Sequence, residues 1–394
     1  MRFIHTADWH LGARPRGASL AGAHEALLAF ILGVAAKERP DVLIIAGDVF
    51  DRKIPPPDAI SLLDSFLSEL VLGLGIPALV VSGNHDSADR LSFGERFLSR
   101  SGLHVVGSVS SPSIAMEDAY GPVSLVPLPH AEPALVRHAL ADASIRGHDD
   151  ALRARLSLLP SRKTSERRVA VFHGMVSGGL PSASERPLGP DAGAVRPELL
   201  DGFDHVAIGH LHRPQAIAGR QNMRYSGSII AHDLDEIDER KSIAITEINR
   251  DGTSSTESVP LPNPSPLRLI EGTAAELRLK AAERLAEGGA TGERVVLRVL
   301  DGRPGQETIA AIKSGWNSIV AVEFPRKAAP SGPSSEMTRR NVPDDDEGLA
   351  GEMKRFLDKA TLVDADPDVA LALIEATRDA RRLFDEENER GTGE

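Results

Sequence analysis

The sequence predicts an α/β sandwich, and three observations carry that prediction. Apolar runs short enough for strands alternate with stretches of helical period from residue 2 to about residue 250. Runs such as Asp41–Ile45 and Ala78–Val81 are apolar almost throughout, as strands covered on both faces are. Several runs stop at a small cluster of Gly, Asp, Asn or His, and ligands of such sheets collect at the carboxyl ends of strands.

In order, Arg2–Asp8 reads as the first strand and ends in Ala7-Asp8-Trp9-His10-Leu11-Gly12. Ser19–Glu38 has Leu20, Ala23, Leu27, Phe30, Ile31 and Val34 at helical spacing and stops before Pro40. Asp41–Ile45 leads into Ala46-Gly47-Asp48-Val49-Phe50-Asp51, and a helix is expected over 58–72. Ala78–Val81 leads into Gly83-Asn84-His85-Asp86, where Gly83 permits a tight turn and His85 brings an imidazole that titrates near neutrality. Asp86 is placed to orient that imidazole. One helix is expected over 91–99, short strands over 104–106, 113–116 and 123–127, and helix over 131–159 with a break near Gly147. Arg168–Phe172 ends in His173-Gly174, and a Gly/Pro/Ser-rich loop over 177–195 follows. His205–Ile208 ends in Gly209-His210-Leu211-His212-Arg213-Pro214. The stretches 224–228 and 241–248 read as paired strands closing a sheet.

Collected from the strand ends, Asp8, His10, Asp48, Asn84, His173, His210 and His212 are two carboxylates, one amide oxygen and four imidazoles. Such oxygen and nitrogen donors suit Mn, Fe or Zn. Seven donors exceed one ion and fit two, with Asp48 from the middle of the sheet as the natural bridge. His85 then lies beside the ions without being needed as a ligand, free to serve in proton transfer. His5, His24, His138, His148, His205 and His232 read as structural or solvated, and Trp9 as a ring buried under the site. Arg213 has two equal readings, a phosphate contact or a partner for a neighbouring carboxylate.

The chain has no cysteine, which excludes disulfides, zinc–thiolate sites and cysteine nucleophiles. It starts on a strand with no signal-peptide pattern. Its most apolar helix, 23–36, is too short to span a bilayer, so a cytoplasmic protein is expected, with no membrane partner. The net charge is −12, and residues 344–394 alone hold sixteen acids against seven bases. A nucleic-acid substrate would need metal ions, local basic patches or a partner to overcome that repulsion.

Asp8-x-His10, Gly47-Asp48, Gly83-Asn84-His85-Asp86, His173 and Gly209-His210-x-His212 resemble the calcineurin-like metallophosphoesterase signature. Within that superfamily the fuller blocks resemble the SbcD family of bacterial nuclease subunits. These are Thr6–Gly12, Gly47–Asp51, Gly209–Gln215, Tyr225-Ser226-Gly227-Ser228, Asp235-Glu236 with Lys241-Ser242, and Ser184-Glu185-Arg186-Pro187. The resemblance covers about residues 1–325.

It implies a two-sheet metallophosphoesterase sandwich flanked by helices, a small α+β capping domain and C-terminal helices. It implies a DNA nuclease of repair, recombination and replication, located at the nucleoid, with two divalent ions, Mn2+. Asp8, His10, Asp48 and His212 would hold one ion, and Asp48, Asn84, His173 and His210 the other. His85 and Asp86 would be the catalytic residues. Related repair nucleases carry a second catalytic histidine where this chain, as is usual for SbcD, has Asp51, so His85 is the one non-ligand imidazole left for proton transfer. The partner would be an SbcC-type ATPase, in a heterotetramer containing a homodimer of this chain formed through its first helices.

The domain boundaries expected are 1–259 for the nuclease domain and 267–325 for the capping domain that orients DNA. A linker at 326–343 and a helical partner-binding tail at 344–394 follow. The tail holds two amphipathic stretches, 349–362 and 368–384. Two alternatives stay open at this level: a phosphodiesterase for small molecules, and a non-catalytic scaffold that has kept the fold.

Overall fold

The computed structural model describes residues 1–182, 185, 193–217, 219–286, 292–316 and 318–325. The linker and tail expected over 326–394, with their two helices, lie outside the described residues. The described ones belong to one compact unit, Met1–Arg326.

The strands begin with β1 (Arg2–Thr6), β2 (Val42–Ala46), β3 (Ala78–Val81), β4 (Leu103–Val106), β5 (Ile114–Asp118), β6 (Gly121–Leu128) and β7 (Arg167–His173). They continue with β8 (His205–Gly209), β9 (Gln215–Ile217), β10 (Arg220–Tyr225), β11 (Ser242–Ile248) and β12 (Ser254–Pro260). The last three are β13 (Leu267–Gly272), β14 (Arg294–Val299) and β15 (Ile319–Glu323). Helices α1 (Ala21–Glu38) and α2 (Pro57–Ser68) precede two single turns, α3 (Ala88–Leu91) and α4 (Glu95–Leu98). They are followed by α5 (Pro133–Leu140), α6 (His148–Ser157), α7 (Ala274–Ala286) and α8 (Gln306–Lys313).

Two six-stranded sheets, ordered β12-β11-β1-β2-β3-β4 and β5-β6-β7-β8-β10-β9, form the sandwich. Phe3, Ile44, Ala46, Leu79 and Val81 of the first sheet meet Leu125, Val169, Val171 and Ala207 of the second in one buried cluster. The opposite face of the first sheet packs on Leu27, Ile31, Leu63 and Phe66 of α1 and α2. This two-sided burial is why β1, β2 and β3 read as continuous apolar runs. The central pairs β1/β2, β2/β3, β6/β7 and β7/β8 are parallel, so their carboxyl ends emerge on one rim.

The structure revises several sequence expectations. The stretches 224–228 and 241–248 do not pair: β10 joins β8 in the second sheet, whereas β11 joins β1 in the first. A Gly-containing turn at 249–253 hides β12, a half-exposed edge strand whose short polar residues gave no apolar signal. The helix expected over 91–99 breaks at Gly94, which sits at φ 79°. His24 is buried, not solvated, against the first core.

In the small unit β13, β14 and β15 are parallel and alternate with α7 and α8. Thr273 and Glu276 form a capping box at the start of α7: each backbone N–H donates to the other residue's side chain, at 2.8 and 3.3 Å. Arg294 donates to the Ala231 carbonyl at 2.8 Å, and Arg16 pairs with both Glu323 and Asp233, which ties this unit to the loop behind β10. Among the described residues, no helix is long and apolar enough to cross a membrane.

Between the sheets lie His5 and His205, both fully buried. Neither ring nitrogen of His5 finds a hydrogen-bond partner. Burial, then His205 and Arg224, lowers the His5 pKa to about 3, and burial followed by Arg224 does the same for His205. An unfolded histidine titrates near 6.5. The neutral pair therefore contributes its full stability above about pH 6.5, and the contribution is lost as pH falls from there toward 3. The loss is roughly 2 kcal/mol per histidine by pH 5. His5→Leu is expected to keep or raise stability at pH 7.5, because it removes an unpaired buried polar group. It should also flatten the acid loss by about that amount. Urea midpoints at pH 7.5 and 5.0 check both; an unchanged acid loss would rule this histidine out as a cause.

Candidate metal centre

All seven donors converge on the common rim. Asp8 and His10 follow β1, Asp48 follows β2, Asn84 follows β3, His173 ends β7, and His210 and His212 follow β8. The backbone laces these ends together. Asp8 N–H donates to the Gly47 carbonyl and His10 N–H to the Asp48 carbonyl, both at 3.0 Å. His210 N–H donates to the Asp8 carboxylate at 3.0 Å, and His85 N–H to Asp48 Oδ1 at 2.8 Å.

The packing is too close for side chains at two glycines. A Cβ on Gly83 would lie 2.1 Å from Asp48 Oδ1, and one on Gly209 would lie 1.9 Å from the Ala46 carbonyl oxygen. Asp8, His10 and Asp48 adopt φ of 53°, 47° and 48°, and His210 adopts 113°. Non-glycine residues there cost on the order of 1–3 kcal/mol each, and such strain gathers where surrounding structure enforces a functional geometry.

The donors form two overlapping sets, Asp8 with His10 and Asp48, and Asp48 with His173 and His210. In the first, His10 Nε2 faces His212 Nε2 at 3.2 Å. In the second, His173 Nε2 and His210 Nδ1 face Asn84 Oδ1 at 3.0 and 3.1 Å. His173 Nδ1 donates to the Ala46 carbonyl at 2.8 Å, so in the neutral ring its Nε2 is a lone pair aimed at another acceptor. Acceptors turned toward one another in a buried place fit a cation between them, and a set of oxygen and nitrogen donors suits a hard or borderline divalent ion.

Protonation responds to the same concentration of charge. Burial, then Asp48, pushes the Asp8 carboxyl up to about 7, against the pull of His173 and His212. Burial alone would raise Asp48 too, but the His173, His10 and His85 imidazoles hold it well below the usual carboxylate range. Burial lowers His10 well below 6.5 and His210 to about 3. Burial also opposes charge on His173, yet Asp48 overrides it and raises the metal-free ring to about 9, so a proton sits between Nε2 and Asp48 where a cation would replace it.

His85 is exposed beside the donors, its ring 4.8 Å from that of His10. Its Nδ1 donates to the Asp51 carbonyl at 2.8 Å. Asp86 does not orient this imidazole, contrary to the sequence reading. Its buried carboxylate accepts from Val49 N, Phe50 N and Gly83 N at 3.1, 2.9 and 2.9 Å. Three N–H groups left unpaired where two strands end need an acceptor, and Asp86 turns inward to supply it. It braces the two loops that carry Asp48 and Asn84. The Asp51 carboxylate also adjoins His10 and His85.

Trp9 is fully buried, donating to Thr6 Oγ1 at 2.9 Å. Arg213 binds Glu239 at 2.7 Å, which resolves its two readings in favour of the carboxylate. Three groups were missed. His232 is half-buried, with its ring 5.0 Å from His10 and 5.1 Å from His212, a packing that its mixed-polarity loop did not signal. Glu185 and Glu236 each place a carboxylate oxygen 3.1 Å from His212 Nδ1. The motifs holding them were visible, but not what they touch. Beside Asn84, His173 and His210 opens a cavity of about 390 Å3, lined also by His130, His148 and Arg155.

A two-sheet sandwich with this donor set on the strand-end rim defines a metal-dependent hydrolase of phosphoesters. Residues 1–214 match the calcineurin-like phosphoesterase family, and the chain belongs to it. Among solved structures, it is similar to a dimetal phosphatase from Danio rerio, at 15% identity and a TM-score of 0.37, over 66% of this chain and 98% of that one.

Proposed function

We propose that this chain is a DNA nuclease subunit of the SbcD type, cutting phosphodiester bonds with two Mn2+ ions. The observation that carries phosphodiester chemistry is the pair of donor sets sharing Asp48. What supports DNA as substrate is the run of SbcD-like blocks around the donors, from Thr6–Gly12 to Tyr225–Ser228. Tyr225 joins the site's architecture: its hydroxyl donates to Gly174 O at 3.0 Å and accepts from Val176 N at 2.8 Å, fixing the chain just after His173.

Asp8, His10, Asp48 and His212 would hold one ion and Asp48, Asn84, His173 and His210 the other. When bound, the pair supplies a clamp for phosphoryl oxygens and an acidified water. The chain itself orients the donors through strained backbone and holds His85 by its Nδ1, so that Nε2 can pass a proton to the leaving oxygen. The activity proposed is 3'–5' exonuclease on duplex DNA and endonuclease on single strands and hairpins, ATP-dependent through an SbcC-type ATPase bound by residues 344–394. A homodimer belongs to the same proposal. It is supported by a groove of about 500 Å3 lined by Ile60, Leu72 and Phe93, with Phe93 84% and nearby Phe97 80% exposed.

The test is Mn2+-dependent degradation of blunt linear duplex DNA by the full chain, with and without the ATPase and ATP, beside hydrolysis of bis(4-nitrophenyl) phosphate. Metal-dependent cutting that becomes ATP-dependent with the partner is expected. Hydrolysis of the small diester with no cutting of any DNA would replace the nuclease by a small-molecule phosphodiesterase.

A further inference from the structure

Two motifs, Ser184-Glu185-Arg186-Pro187 and Asp235-Glu236 with Lys241, lie outside both donor sets. One glutamate of each, Glu185 and Glu236, meets His212. Glu185 Oε1 accepts from the His212 backbone N–H at 2.6 Å and lies 3.1 Å from its Nδ1. Glu236 Oε1 lies 3.1 Å from the same Nδ1. Glu236 is 0% exposed, and a carboxylate that deep is tolerated only when paired. Lys241 supplies the pairing: its Nζ donates to Glu236 Oε2 at 2.7 Å, to Glu239 Oε2 at 2.9 Å and to the His212 carbonyl at 2.9 Å. One ammonium thus grips both the carboxylate and the backbone of the histidine it serves.

We propose that Glu236, seated on Lys241, and Glu185 are positioning residues that fix His212 with Nδ1 protonated and Nε2 toward His10, making that ion position the tighter of the two. The inference rests on the two-ion reading above. A carboxylate accepting from the far nitrogen fixes a metal-binding imidazole and makes it a stronger donor. At the other position, His173 Nδ1 donates to the neutral Ala46 carbonyl instead of to a carboxylate. Among the described carboxylates, the first position also has Asp8 and Asp48 within reach and the second Asp48. Glu185, His212 and Glu236 lie close enough together to suggest an ion of their own. Against that, the Lys241 ammonium already neutralises Glu236 and Nδ1 is committed to its carboxylates.

The experiment is Mn2+ titration of the full chain by calorimetry, with electron paramagnetic resonance counting free ion, on wild type, Glu236→Gln and Glu185→Gln. Circular dichroism of the metal-free proteins reports folding independently. Wild type is expected to show a tighter and a weaker site. Glu236→Gln should weaken the tighter one by about 10–100-fold and leave the other as it was. Glu185→Gln should weaken the same site by less, and it decides alone if Glu236→Gln does not fold. Wild-type binding at both sites in the folded variants, or equal weakening of both, overturns the proposal while the two-ion reading stands. Absence of Mn2+ binding to wild type overturns both.

Discussion

Asp48→Ala is expected to lower turnover of bis(4-nitrophenyl) phosphate by roughly a thousandfold or more, the largest loss of any single substitution in this chain. Asp48 is 2% exposed and belongs to both donor sets. Its Oδ2 lies 3.4 Å from His173 Nε2 and 3.9 Å from His10 Nε2, and its Oδ1 accepts the His85 N–H. Among the described residues Asp48 alone belongs to both sets, so its removal disables both positions, whereas loss of His10 or His210 disables one. Asp48→Asn keeps the shape and one neutral oxygen and should fall between wild type and alanine. Folding should not follow activity, because φ of 48° at Asp48 and the crowding of buried charge are strains the fold tolerates rather than needs. The check is steady-state kinetics beside thermal melting of the metal-free variants. A folded Asp48→Ala retaining a tenth of wild-type turnover would remove Asp48 from the bridging position.

Much of this site was legible because strand ends carry their own punctuation. Gly47-Asp48 and Gly209-His210 follow unbroken apolar runs, and only a sharp change from core to chemistry explains such residues there. The sandwich was legible for the same reason: strands buried on both faces cannot alternate. What failed was whatever depends on partners far along the chain. Asp86 beside His85 suggested a carboxylate orienting an imidazole. The three backbone N–H groups it satisfies include two from a loop more than thirty residues away. β10 and β11 are close in sequence and both extended, yet their pairing is set by β8 and β1. His24 carries no local mark of its burial and His232 none of its contact with His10 and His212, since a histidine looks alike on a surface and beside a metal site. Glu236 was visible as half of a motif and silent about His212, because the contact exists only once β8 and the loop after β10 are folded together.

His85→Ala should lower the rate on unactivated phosphodiesters by about 10²–10⁴-fold while leaving Mn2+ binding unchanged. The imidazole is in neither shared donor set, and its Nδ1 is committed to the Asp51 carbonyl, so the ring is oriented by main chain rather than by a carboxylate. That arrangement gives two further expectations. Asp51→Asn keeps the carbonyl and should cost less than about tenfold, the scale below that of a general acid. The His85→Ala defect should also shrink when the leaving group is 4-nitrophenolate, which departs without needing a proton. Comparing a DNA oligonucleotide with bis(4-nitrophenyl) phosphate for wild type and His85→Ala separates the roles. A defect that is large on DNA and small on the activated diester assigns proton transfer to His85. Equal defects on both would mean that the imidazole positions the phosphate instead. A loss of Mn2+ affinity in the variant would move His85 into the ion-binding set and leave the leaving oxygen to be protonated by water.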